Sequence, residues 1–275
     1  MKMQEIGNNS NRENKARIVI RLGADCISCS ASDPQAPRRM AFECFEMKSG
    51  VSQSANLREA FKTLELLMSG YGRALVMVDA PTMLIPINEF DQDVVSDLFK
   101  HSFTTNKCDD IHTSFLTELG VVACFPVNND VRLVIEDHFK DSRFIPAVQP
   151  VWLHLYRRSI TGLRTKVYAY FHDYSMDVFC YANGRFKYSN KFEVGPYQDA
   201  LYFLLYVWRQ LGLSNESDEM HIAGSYADSD TLIEKLRQHV RRVYKVSPSA
   251  EFNRAPITAI DNVPYDVMAL HLSGK

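Results

Sequence analysis

The sequence RIVIRLGADCISCSAS, residues 17–32, decides the fold of this chain. Apolar residues alternate at Ile18, Ile20 and Leu22, which is the period-two pattern of a half-buried strand. Gly23-Ala24-Asp25 in the middle of the stretch is rich in turn-forming residues. We therefore predict two short strands joined by a tight turn.

The residues after this hairpin continue the same structural unit. Met40–Met47 has the apolar pattern of a third strand, and Ser54–Ser69 has apolar residues at helical spacing, ended by Gly70 and Gly72. Arg73–Val78 is a short apolar run typical of a buried strand. The order is therefore three strands, a helix and a strand. A doubly wound nucleotide fold alternates strands and helices from its start, so this order argues against one.

The middle of the chain has a less regular pattern, and it remains open whether residues 79–126 form an inserted subdomain. The pattern indicates a second extended piece, a helix, a hairpin around Gly120 and two further helices. In chain order these are Met83–Ile87, Asp91–Lys100, Ser114–Leu119 with Val121–Phe125, Asn129–Phe139 and Val148–Arg158.

The second half of the chain repeats the opening pattern. It predicts strands at Lys166–Phe171, Ser175–Tyr181 and Arg185–Val194, a helix from Pro196 to Leu211, and a buried strand at Met220–Ala223. A helix over Asp230–Tyr244 and an extended segment before Pro256 complete it. An internal duplication at this scale predicts two related lobes. We expect a disordered polar leader over 1–16, a first lobe over 17–160 and a second over 161–275.

Composition excludes several classes of protein. The chain has 275 residues with 31 Lys and Arg against 33 Asp and Glu, so no global charge favours nucleic acid or an anionic membrane. No stretch reaches the roughly 18–20 apolar residues of a membrane-spanning helix, and residues 1–15 lack the apolar core of a secretory signal. We therefore expect a cytoplasmic protein with neither nucleic-acid binding nor membrane insertion.

The six cysteines lie in apolar segments, as reduced core residues do. Cys26 and Cys29 have C-x-x-C spacing, but positions three apart on a strand point to opposite faces. No second C-x-x-C or His pair completes a zinc site. We predict structural cysteines and no metal site.

Three short segments carry a family resemblance. Ile20-Arg21-Leu22-Gly23 resembles the first phosphate loop of the actin-like ATPase superfamily (sugar kinases, Hsp70 and actin), and Phe171–Val178 resembles the second. Ile222-Ala223-Gly224-Ser225 resembles its adenosine motif. The whole chain is similar to an uncharacterised bacterial family, domain of unknown function 3822. The resemblance implies a mixed α/β, duplicated actin-like ATPase (ribonuclease H-like) fold with two lobes around a central cleft that binds Mg-ATP in active members.

The phosphate loops depart from the family pattern. Glycine lets backbone N–H groups approach phosphates, and an acidic side chain holds hydrated magnesium. Arg21 stands where the first loop has its acidic residue, and the second loop lacks glycine, with His172 and Tyr174 in its place. Asp25, Asp173 and Asp177 remain as acidic groups that could position magnesium.

Several candidate site residues keep a structural alternative. Arg21 either binds an anion or pairs internally with a carboxylate such as Asp25, and Asp173 is either a ligand or an ordinary turn residue. Ser175 and Asp177 are two residues apart on a strand and therefore share one face. A functional pair would need this arrangement, and a solvated strand face would also produce it. Gly224-Ser225 is more typical of a tight strand-to-helix turn than of a nucleotide site. The candidates are Arg21, Gly23, Asp25, Asp173, Ser175, Asp177, Gly224 and Ser225.

These observations favour a non-catalytic actin-fold binding or assembly module, a pseudo-ATPase, whose partners are proteins. The alternative is an active Mg-ATP-dependent ATPase or phosphotransferase, and a third hypothesis is a sensor that binds an anion at Arg21 without turnover.

Two further features of the second half keep two explanations each. Aromatic enrichment in the second half suits either an interface or sheet packing. The basic residues predicted on the last helix suit either solvated surface or a phosphate or partner site. They are Lys235, Arg237, Arg241, Arg242 and Lys245.

Overall fold

The computed structural model describes residues 17–32, 40–103, 109–160, 162, 164–252 and 255–273. The predicted leader over 1–16 lies outside them. The chain divides into two compact units, one of residues up to Phe115 with Val122–Ala147, the other of Leu116–Val121 with the residues from Val148 onward. No helix in the described ranges is long and apolar enough to cross a membrane.

The first unit is built on a mixed five-stranded sheet. Its order is β3-β2-β1-β4-β8, with β1 antiparallel to β2 and parallel to β4, which is parallel to β8. The elements in chain order are β1 (Arg17–Leu22), β2 (Cys26–Ser32), β3 (Met40–Glu46), α1 (Gln53–Thr63), α2 (Glu65–Met68), β4 (Arg73–Val78), β5 (Met83–Pro86), α3 (Val95–Ser102), β6 (Asp109–Leu116), β7 (Val121–Asn128), α4 (Asn129–His138) and β8 (Asp141–Pro146).

One face of this sheet packs against helices α1, α2 and α4. Ile18, Ile20 and Leu22 of β1 are almost fully buried in that core, as their alternation predicts. The two longer helices begin at side-chain caps, since Ser52 Oγ accepts from the Ala55 N–H and Asn128 Oδ1 accepts from the Val131 N–H. The helices therefore cover the face of β1 that carries Ile18, Ile20 and Leu22, and Arg21 lies on the opposite face.

The middle segment forms a separate small sheet. Strands β5, β7 and β6 pair in that order, and their apolar residues join helix α3 in a minor core. Val95 and Phe99 of α3 are 2% and 0% exposed within it. The predicted hairpin around Gly120 is present as β6 and β7, and the predicted helix over Asp91–Lys100 lies at Val95–Ser102.

The second unit repeats the first sheet. Its order is β11-β10-β9-β12-β13, with β9 antiparallel to β10 and parallel to β12, so the duplication inferred from the sequence is present. The elements in chain order are α5 (Gln149–Ser159), β9 (Lys166–His172), β10 (Ser175–Ala182), β11 (Arg185–Glu193), α6 (Tyr197–Gln210), β12 (Glu219–Gly224), α7 (Ser229–Leu236), β13 (Val243–Lys245), α8 (Pro248–Glu251) and α9 (Tyr265–Ser273).

The predicted helix over Asp230–Tyr244 is wrong in its second half. Helix α7 ends at Leu236, and Val243–Lys245 pairs in parallel with β12, because the buried Val243 completes the sheet. The basic residues therefore do not form one helical face. Two of them pair with acidic groups, Arg241 with Glu216 at 2.9 Å and Lys245 with Asp230 at 2.7 Å.

The aromatic residues of the second half build a core. Tyr168, Tyr170, Phe171, Phe179 and Tyr181 are at most 3% exposed. Of the two explanations that the sequence left open, sheet packing therefore accounts for these five side chains.

Candidate functional site

The first candidate loop is the turn between β1 and β2. The Gly23 N–H donates to the Cys26 carbonyl at 3.0 Å, which closes the hairpin around Ala24 and Asp25. The Asp79 N–H donates to the Leu22 carbonyl at 3.4 Å, so the carboxyl end of β4 lies beside this turn. The parallel pairing of β1 with β4 therefore brings Arg21, Gly23 and Asp25 to one edge of the first sheet, next to Asp79.

Arg21 lies on the sheet face opposite the helical core and is only 2% exposed. Its register neighbours are Ser28 on β2 and Met77 on β4. The Ser28 hydroxyl is buried and makes no hydrogen bond within the described part of the chain. Asp25, by contrast, is exposed at the turn. The side chain of Arg21, next to the β1–β2 turn, is thus a buried and permanently charged guanidinium. A guanidinium cannot ligate magnesium.

The second candidate loop is a two-residue turn between β9 and β10. His172 pairs with Ser175 across the ladder, and Asp173 and Tyr174 between them have φ angles of 41° and 60°. Left-handed φ at both central residues is typical of a type I′ hairpin turn, which usually contains glycine or asparagine. Tyr174 is 72% exposed. Asp173 and Tyr174, neither of them glycine, therefore hold the two central positions of this turn.

Asp177, the acidic candidate on β10, is engaged by a histidine. His172 Nε2 lies 2.6 Å from Asp177 Oδ2, and the two side chains are 5% and 7% exposed. The Tyr170 ring stacks on the imidazole at a centroid distance of 4.7 Å. Ser175 is also buried, at 8% exposure. This arrangement makes Asp177 part of a buried polar pair within the second unit.

Gly224 ends β12 at a point where no side chain fits. Its φ is +86°, and a Cβ atom there would lie 2.1 Å from the Phe171 carbonyl oxygen. The N–H of the exposed Ser225 donates to that same oxygen at 3.1 Å. The structural explanation of Gly224-Ser225 as a tight turn therefore has a direct physical cause, the close approach of β12 to β9.

The second unit gathers its candidates at the carboxyl end of β9. Asp173, Ser175, Asp177, Gly224 and Ser225 all lie within this hairpin or the adjoining end of β12. Sequence reasoning missed two residues of these edges, His172 as the partner of Asp177 and Asp79 after β4. Their positions at the carboxyl ends of predicted strands are the signal that could have indicated both.

Comparison with known proteins agrees with this architecture. The family model described as "Protein of unknown function (DUF3822)" matches residues 6–243. The chain belongs to this family. The resemblance inferred from the sequence is thereby confirmed. No curated protein has a significantly similar sequence.

Solved structures show the fold of this DUF3822 protein. A protein from Bacteroides thetaiotaomicron VPI-5482, with an actin-like ATPase fold and unknown function, is 25% identical with a TM-score of 0.82, covering 96% of this chain and 98% of its own. A PilM-PilN type IV pilus biogenesis complex contains a chain that is 12% identical with a TM-score of 0.58, covering 94% of this chain and 97% of its own. The protein therefore has the actin-like ATPase fold.

We predict that Gly224→Ala strongly destabilises the protein. A side chain at this φ costs about 1–3 kcal/mol in backbone strain, and the contact with the Phe171 carbonyl adds to that cost. The matched control is Gly212→Ala, which has a φ of +63° and no atom within 4 Å of its new Cβ. Thermal unfolding should show a clearly larger loss for Gly224→Ala. Equal losses would show that the close approach is not a constraint.

We also predict that the His172–Asp177 pair contributes to stability. Asp177→Ala should lower the free energy of unfolding by about 1.5–3 kcal/mol, because the buried imidazole loses a charged hydrogen-bond partner. The exposed Asp25→Ala should stay within about 0.5 kcal/mol of wild type. Denaturant unfolding of both variants, with His172→Ala and the double variant, measures the coupling. Zero coupling would mean that Asp177 is not held by His172.

Proposed function

We propose that this protein is a non-catalytic actin-fold module that binds a protein partner. The observation that carries the proposal is the pair of buried side chains beside the two turns that resemble phosphate loops. Arg21 is a buried cation at the first turn, and at the second Asp177 is 2.6 Å from the imidazole of His172. Phosphoryl transfer depends on positioning of phosphate and its metal ion, so replacement of those groups removes most of what the fold contributes to catalysis.

The chemistry of the remaining acidic residues is consistent with this proposal. Asp25 is exposed on the first turn, and Asp173 lies in a left-handed turn position that aspartate tolerates. Both therefore have a conformational explanation that needs no ligand. They also define the alternative, an active Mg-ATP-dependent enzyme that uses these carboxylates to hold magnesium.

An exposed aromatic face on helix α6 supports the binding part of the proposal. Tyr202 and Tyr206 are 64% and 50% exposed, and their rings lie 6.2 Å apart. The neighbouring Phe203 stacks on Phe192 of the edge strand β11 at 4.6 Å, which anchors the face to the sheet. Tyrosine is enriched in protein interfaces.

Charges of both signs border the two rings. Asp199 and Arg209 are exposed on α6, three residues before Tyr202 and three residues after Tyr206. A partner segment that presents apolar or aromatic side chains would complement the rings. Protein binding by a chain of this fold has a parallel in the PilM-PilN complex, at an identity that shows the fold alone.

We predict no ATP turnover above the protein-free rate. The measurement is phosphate release from millimolar Mg-ATP by the wild-type chain, alongside Asp25→Asn and Asp173→Asn. All three should give the same background rate. Turnover in the wild type that either substitution abolishes would establish the enzyme alternative and overturn the proposal.

We predict that Tyr202→Ser/Tyr206→Ser abolishes capture of a specific partner from a native lysate. The matched control is Tyr244→Ser, because Tyr244 is also exposed, at 41%, but lies on β13. Quantitative mass spectrometry should show proteins retained by wild type and by the control but lost with the double variant. Identical protein sets from all three, or chaperones alone, would contradict binding through this face.

A further inference from the structure

Two cysteines meet on the face of the first sheet opposite its helical core. In the β2–β3 ladder Cys26 is opposite Glu46 and Ser28 is opposite Cys44, so Cys26 and Cys44 are diagonal neighbours on one face. The Cys26 thiol donates a hydrogen bond to the Cys44 sulfur. Cys44 is exposed and Cys26 half-buried, so reagents in solution can reach the pair.

The surroundings of Cys44 favour its thiolate. Its pKa is lowered to about 7, first by the hydrogen bond from Cys26 and also by the positive charge of Arg21. Partial burial and the nearby Glu46 and Cys29 act in the opposite direction and do not cancel the effect. Because the thiolate is the nucleophilic form, Cys44 is a strong nucleophile near neutral pH.

The other described cysteines have the opposite character. Cys29, Cys124 and Cys180 are buried, and burial raises the pKa of each thiol, to about 11 for Cys124 and about 12 for Cys180. The pKa of Cys29 is raised further still, first by burial and then by Glu43. Among the described cysteines, chemical modification should therefore be confined to the Cys26–Cys44 pair.

We propose that Cys26 and Cys44 form a thiol oxidation site in which Cys44 reacts with hydrogen peroxide and Cys26 resolves the product. The Cys44 thiolate attacks one peroxide oxygen, the O–O bond breaks, and Cys44 becomes a sulfenic acid while hydroxide leaves. The Cys26 sulfur then attacks the sulfenic sulfur, and a disulfide forms as water leaves. With hydrogen peroxide, two thiols and one peroxide give one disulfide and two waters.

Formation of this bond requires a local shift of the backbone. Diagonal neighbours have Cα atoms about 7–8 Å apart, slightly beyond the about 4.4–6.8 Å span of most disulfides. Strand β3 is at the edge of the sheet, so a shift along β2 involves one ladder of this sheet. A disulfide that requires such movement is strained and therefore readily reduced, which suits a reversible modification.

The test uses the full chain with Cys108→Ser, since Cys108 lies outside the described residues. After mild hydrogen peroxide treatment, non-reducing peptide mass spectrometry should show a Cys26–Cys44 linkage that dithiothreitol reverses. Cys26→Ser should instead leave Cys44 as a sulfenic acid that dimedone traps, and the control Cys180→Ser should form the linkage as wild type does. Unmodified Cys26 and Cys44, or equal oxidation of Cys180, would overturn the proposal.

A second measurement separates reactivity from simple exposure. Alkylation of native Cys44 by iodoacetamide across a pH series should have its midpoint near the value of about 7 given for its thiol. In Cys26→Ala the midpoint should move up toward the ordinary thiol value of about 8.5, because the hydrogen-bond donor is gone. The same midpoint in both proteins would contradict the pairing of the two thiols.

Discussion

In each five-stranded sheet the first strand lies at the centre and carries two ladders of opposite sense. Strand β9 is antiparallel to β10 and parallel to β12, and β1 has the same relation to β2 and β4. The hairpin turn and the carboxyl end of the parallel neighbour must then lie at the same sheet edge. In the second unit the approach is so close that the Phe171 carbonyl leaves no room for a Cβ at residue 224. Every candidate ligand position in the chain depends on this pairing.

Much of this architecture follows from local patterns in the sequence. Alternation at Ile18, Ile20 and Leu22 predicts β1, and repetition of the pattern near residue 167 predicts the second sheet, because in each unit one face of the sheet packs on helices of that unit. Strand β8 could not be predicted in this way, because its first half is polar and its second half buried. The length of α7 was overestimated, because helical periodicity does not reveal that Val243 is needed to complete a sheet edge.

For the candidate sites, too, some features can be predicted from the sequence and others cannot. The residue types at the two turns, Arg21 and the glycine-free Asp173-Tyr174, are visible in the sequence, and so is their mismatch with phosphate binding. Contacts set by strand register are not visible. The spacing of Cys26 and Cys29 already places them on opposite faces of a strand, and Cys29 is buried in the core. That Cys26 lies beside Cys44 depends on the β2–β3 register, which the sequence does not reveal. The partner of Asp177 is likewise fixed by the geometry of a tight turn.

The protein thus has the duplicated sheets of the actin-like ATPase fold, and we propose that the groups at both turns serve its own structure. Isothermal titration calorimetry with Mg-ATP tests this central claim most directly, because it detects nucleotide binding whether or not turnover follows. We expect no saturable binding heat from millimolar ATP, with or without magnesium. Saturable, magnesium-dependent binding that Asp25→Asn or Asp173→Asn removes would contradict it.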